Sequence, residues 1–139
     1  MTGSENNPDG IEAARPFCHA RIYTGPEGET HFSDHELPFE LVDFAPPAPP
    51  ISVTGSLAVN GMAVISSPAG WEGDWHPTPR RQLIVVLTGK LETEVSDGEV
   101  RVFRPGDVIL VEDTSGKGHI SRILGNERGY MVVVPLENK

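Results

Sequence analysis

The chain is short of cysteine, of positive charge and of long apolar runs. Its 139 residues include a single cysteine, Cys18. One thiol excludes an intramolecular disulfide and a cysteine-built zinc cluster. The 11 basic residues face 20 acidic ones, a net charge of −9. Phosphate repels such a surface, so neither nucleic acid nor an anionic membrane is expected as a partner. No apolar run approaches the ~20 residues of a membrane helix. Met1 to Gly10 lacks both a basic start and an apolar stretch, so no secretory leader is expected there and a cytoplasmic location is the simplest expectation. Helical periodicity and long-period repeats are also missing.

What is present is a series of short apolar runs punctuated by Gly, Pro and Asp. The length suits one domain. Residues 1–15 form a polar lead expected to be disordered, leaving 16–139 as the folded domain. Strands are expected at Arg21–Thr24, Phe39–Phe44, Leu83–Leu87, Leu91–Val95, Val100–Phe103, Val108–Val111, Ile120–Leu124 and Met131–Val134. Residues 30–36 alternate weakly, and Ile51–Ser67 reads as two strands around Asn60-Gly61. Ser96-Asp97-Gly98 is a hairpin turn. Ala45-Pro-Pro-Ala-Pro-Pro50 should run extended as a rigid strap. The expected fold is all-β, a sandwich or barrel. Leu83–Leu87 and Val108–Val111 are apolar on both faces, which predicts a covered outer face, either by a second layer or by a partner in a homodimer.

The most informative stretch runs from Gly70 to Gly89. A Gly/Trp/Asp loop leads past His76 into the apolar strand Leu83–Leu87. A polar cluster feeding a buried strand is how a β-barrel builds a pocket at its mouth. Strand alternation places His76, Thr78, Arg80, Gln82 and Ile84 on one side, with Arg81, Leu83 and Val85 on the other.

The spacing of these residues resembles the cupin superfamily of small jelly-roll β-barrels. Against the first cupin motif, G(X)5HXH(X)3,4E(X)6G, Gly70, His76 and Gly89 match, while Thr78 stands at the second histidine position and Gln82 at the glutamate. Against the second, G(X)5PXG(X)2H(X)3N, Gly106 begins the match, Glu112 falls at the proline, Gly116-Lys-Gly-His119 supplies the end after a short insertion, and Ile123 replaces the asparagine. The resemblance spans roughly Leu57 to Val134 and is similar to small single-domain bacterial cupins. It implies a cupin-type jelly-roll β-barrel. It also implies a metal site for Fe, Mn, Ni or Zn, whose positions here would be His76, Gln82 and His119; with Thr78 and Gln82 in place of a histidine and a glutamate, a divalent ion should bind more weakly than at the full set.

Three functions follow as expectations. In the first, a small organic, oxygenated substrate is isomerised, cyclised or cleaved: His76 and His119 act as acid and base, and Gln82 and Arg80 hold a carbonyl or carboxylate. Trp71, Trp75, Thr78 and His31 complete the substrate-binding candidates. In the second, the chain is a metal-dependent dioxygenase. In the third, it is a non-catalytic sugar- or metabolite-binding module. Each residue also has a structural alternative. His76 and Gln82 can satisfy one another, Arg80 can pair with Asp74 or Glu72, and the tryptophans can be loop packing. His31 and His35 sit near Asp34 and Glu36 on a solvated loop. Glu112 and Asp113 read as a solvated turn.

Overall fold

The computed structural model describes residues 12–137; the N-terminal lead is described only from Glu12 onward. Eleven strands and no helix form among these residues: β1 Phe17–Thr24, β2 Thr30–Leu37, β3 Phe39–Val42, β4 Ile51–Thr54, β5 Ala63–Ser67, β6 Gln82–Thr88, β7 Lys90–Val95, β8 Val100–Phe103, β9 Val108–Val111, β10 His119–Leu124 and β11 Gly129–Pro135. No helix long and apolar enough to cross a membrane occurs among them.

The chain divides into two compact parts. One comprises, of the described residues, 12–18 together with Glu36–Leu57. It contains the antiparallel hairpin β3–β4, with Phe39 opposite Thr54 and Val42 opposite Ile51. The proline-rich strap is the connection of this hairpin, and it turns rather than running extended: the Ala48 N–H donates to the Ala45 carbonyl at 2.9 Å. The two strands expected around Asn60-Gly61 form as β4 and β5, but they do not pair with each other. β4 pairs with β3, whereas β5 pairs with β11.

The second part, His19–His35 with residues from Ala58 onward, holds two sheets face to face. The larger has the order β2-β1-β9-β6-β11-β5, the smaller β10-β7-β8. β1 runs parallel to β9, while β9, β6, β11 and β5 are antiparallel in succession. Alternation decides what is buried. The large sheet sends Ala20, Ile22, Val86, Ile109, Val111 and Met131 inward; the small sheet answers with Leu91, Val95, Phe103 and Ile123, and Phe32 packs among them. Burying a side chain of this kind contributes about 1.5–3 kcal/mol. On the smaller sheet's outer face, Arg122 of β10 bonds Glu92 and Glu94 of β7 at 3.0 and 3.2 Å. The outer face of the large sheet carries exposed Val64, Leu87 and Tyr130.

Candidate active site

The segment after β5 builds the site. Residues 70–76 are laid along β10 like an irregular extra strand. The Gly70 N–H donates to the Ile123 carbonyl (2.9 Å), Ile123 N–H to the Trp71 carbonyl (2.8 Å), and Gly73 N–H to the Ser121 carbonyl (2.9 Å). His76 and His119 then exchange both backbone bonds, each at 3.0 Å. This pairing sets their rings side by side, centroids 4.8 Å apart and tilted by 53°.

Gly118 makes the approach possible. It has φ +75°, and a Cβ there would run into the His76 carbonyl. The loop that carries it is anchored on its other side too. The buried Thr30 hydroxyl donates to the Gly118 carbonyl at 2.7 Å, and the Lys117 N–H donates to the Gly28 carbonyl at 3.0 Å.

Both imidazoles are orientated through Nδ1. His76 Nδ1 lies 2.7 Å from the Asp74 carbonyl, which only accepts, so the neutral ring carries its proton on Nδ1 and a lone pair on Nε2. His119 Nδ1 lies 2.7 Å from Asp113 Oδ2, and Asp113 is wholly buried. Thr78 N–H donates to the Asp113 carbonyl at 3.0 Å, so backbone bonds join the two halves of the site. Asp113 is therefore not the solvated turn residue its neighbours suggested. Its second oxygen, Oδ1, is buried without a protein partner.

The two histidines line a cavity of about 160 Å³ between the sheets. Its floor is apolar, with Ile84, Leu91, Val111, Ile123 and Met131. Its exposed lining residues are Ile65, Trp71, His76 and Pro79. Gln82, Thr78, Ser121 and Ser67 add the remaining polar groups. Thr78 is already committed: its hydroxyl donates to the Arg80 carbonyl at 2.9 Å and accepts from Gln82 Nε2 at 3.3 Å.

The structure thus brings together His76, His119, Gln82, Thr78 and Trp71. It does not bring Arg80, Trp75 or His31 to the cavity. Arg80 is exposed, because β6 begins only at Gln82 and the Thr78–Arg80 bond, which spans Pro79, breaks the alternation that would have turned Arg80 inward. Nor does Glu72 pair with it; Glu72 bonds Arg122 at 3.1 Å. Trp75 is 46% exposed. His31 instead bonds Asp97 at 2.8 Å, and that hydrogen bond raises its pKa above the ordinary value. Glu112 is held by Arg21 and Arg81 at 2.5 and 2.7 Å. Burial works against its charge, but the two guanidiniums outweigh burial and lower its pKa.

The cupin-domain family model matches residues 63–135, more than half of the chain. The chain is a cupin. Solved structures similar to it include a conserved protein of unknown function from Streptococcus pyogenes, at 21% identity over 62% of this chain and 71% of that one, TM-score 0.47. A Cupin 2 conserved barrel domain protein from Salinispora arenicola matches at 22% identity over 73% and 76%, TM-score 0.47. An oxalate oxidase structure matches at 27% identity over 52% of this chain and 39% of that one, TM-score 0.43. No curated protein matches the chain.

The metal set that cupin motifs imply does not fit the residues of this cupin. His76 and His119 contribute two neutral nitrogens and Gln82 a neutral amide oxygen. Thr78, at the second histidine position, has its hydroxyl spent on Arg80 and Gln82. Among the described residues no group of three or more His, Cys, Asp or Glu side chains is placed to hold an ion. Two imidazoles and a neutral amide oxygen offer a divalent ion fewer and weaker donors than three histidines and a glutamate.

Proposed function

We propose that this cupin catalyses a proton-transfer reaction, an isomerisation or elimination, on a small organic molecule, with His119 as the general base. The observation that supports it most is the His119–Asp113 pair beside His76, both imidazoles lining one largely apolar cavity. A base needs a fixed tautomer and a charge partner for the imidazolium it becomes. Asp113 offers both, because its carboxylate accepts the Nδ1–H and keeps Nε2 for the cavity.

In the reaction, His119 Nε2 takes a proton from a carbon next to a carbonyl. The electron pair moves to the carbonyl oxygen, giving an enolate beside an imidazolium held by Asp113. The same proton then returns to a neighbouring atom, so the substrate rearranges and the enzyme regains its starting state. Gln82 has a second N–H, beyond the one given to Thr78, for the developing oxyanion. His76 Nε2 accepts a hydrogen bond from the substrate.

Exchange of the α-hydrogens of hydroxyacetone in D2O, followed by proton NMR, tests the reading. Exchange faster than buffer, returning to the buffer rate in His119→Ala, is expected. A wild-type rate equal to buffer, or a rate indifferent to His119→Ala, would overturn it.

A further inference from the structure

The polar side chains that line the cavity are two imidazoles, three hydroxyls and one amide. We infer that its ligand is an electrically neutral, compact and mostly apolar molecule that presents one hydrogen-bond-donating head, an enol or hydroxyl, and that organic anions are turned away. This deepens the proton-transfer reading and rests on it.

Charge comes first. Among the described residues no Lys or Arg lines the cavity. The nearby cations of this part of the chain are engaged elsewhere. Arg21 and Arg81 hold Glu112, Arg122 is spread over Glu72, Glu92 and Glu94, and Lys117 bonds Glu29. Arg80, the one guanidinium that strand alternation would have placed inside, is exposed outside it. The fixed charge nearest the reacting end is the buried carboxylate behind His119, at 2.7 Å from its ring. A carboxylate entering here would lose its water, find no counter-charge and meet a like charge.

Hydrogen-bonding capacity comes second. With both Nδ1 atoms committed, His76 and His119 each present an Nε2 lone pair. Gln82 uses an N–H on Thr78, which leaves its carbonyl oxygen as a third acceptor. Three acceptors thus belong to residues that line one cavity, beside the second Gln82 N–H and the Ser67 and Ser121 hydroxyls, and a ligand satisfies the acceptors only by donating.

Size comes third. A volume of about 160 Å³ is close to that of cavities that hold a single benzene ring. The floor of Ile84, Leu91, Val111, Ile123 and Met131 suits a ring or short branched chain and leaves a polyhydroxylated sugar without partners.

Calorimetric titration of the wild-type protein with three one-ring probes tests this: phenol, anisole and benzoate. Phenol is neutral and donates, anisole is neutral without a donor, and benzoate is an anion. Phenol is expected to bind at least about tenfold more tightly than either, the worth of one net hydrogen bond in an apolar site. Anisole equal to phenol would overturn the donor requirement. Benzoate equal to or tighter than phenol, or no binding by any of the three, would overturn the ligand class. The α-hydrogen exchange assay reports separately on proton transfer: exchange that persists while benzoate is preferred sinks the ligand class alone.

Discussion

The Nδ1 of His119 sits 2.7 Å from a carboxylate oxygen of Asp113, a side chain that no solvent reaches. The bond fixes which imidazole nitrogen carries the proton. Asp113 acts through His119 and does not line the cavity, so it is a positioning residue. Asp113→Asn keeps the shape and removes the charge. It should lower the rate of α-hydrogen exchange by about 100-fold while leaving phenol affinity within about threefold, because general-base contributions of this kind run to ~10²–10⁴. Parallel exchange and calorimetry on the variant check this split; equal losses in both would mean that Asp113 only supports the fold.

Gly118 tests how tightly the two histidines must be drawn together. Gly118→Ala faces both a positive φ and the His76 backbone, whereas Gly98→Ala meets only the positive φ, with open space around it. Urea denaturation should show a loss of about 3 kcal/mol or more for Gly118→Ala and about 1 kcal/mol for Gly98→Ala. Similar losses in the two variants would contradict the close approach.

The His31–Asp97 bond predicts a pH window. His31 has its pKa raised above 6.5, first by the hydrogen bond to Asp97. Its stabilising contribution is therefore complete below that unfolded value and fades as pH rises through the folded one. Asp97 has its pKa lowered below 3.8, first by the Glu99 backbone N–H, against burial, with His31 adding to it. Its contribution is complete above 3.8 and fades as pH falls through the folded value. The melting-temperature difference between wild type and His31→Ala should thus be largest between about pH 4 and 6.5 and shrink on both sides. A difference that grows towards pH 9 would contradict it.

Metal content gives a fourth expectation. Purified wild-type protein should carry well below one equivalent of Fe, Mn, Ni or Zn by elemental mass spectrometry. Gln82→Glu supplies the anionic donor the site lacks and should raise Zn affinity by about tenfold or more. Stoichiometric metal in the wild type that disappears in His76→Ala would make Gln82 a working ligand and redirect attention to oxygen consumption.

Much of this was legible in the chain because its signals are local. Apolar runs bounded by Gly, Pro and Asp marked eight of the strands, and the Ser96-Asp97-Gly98 turn does join β7 to β8. His76, Gln82 and His119 were readable from motif spacing. Asp113 was not. It lies among Glu112, Thr114, Ser115 and Lys117, a polar run that looks solvated. Its burial comes from distant partners: Glu112 N–H reaches the Ile22 carbonyl, and Gly116 packs on Gly28. An acid six residues before the histidine of the second motif was the one signal available. Arg80 was misplaced for the opposite reason. Alternation was extended backwards through Pro77 and Pro79, where the chain is not yet a strand.

The ribbon of residues 70–76 is bound to β10 through backbone amides and tied at Glu72 to Arg122. It forms one wall of the cavity through Trp71 and His76. The amide hydrogens of Gly70, Gly73 and Ile123 exchange with solvent only when that wall peels away. Their exchange rates in heavy water therefore measure how often the chamber is unlatched. A bound guest slows all three together, while the amides of β7 and β8 keep their own pace.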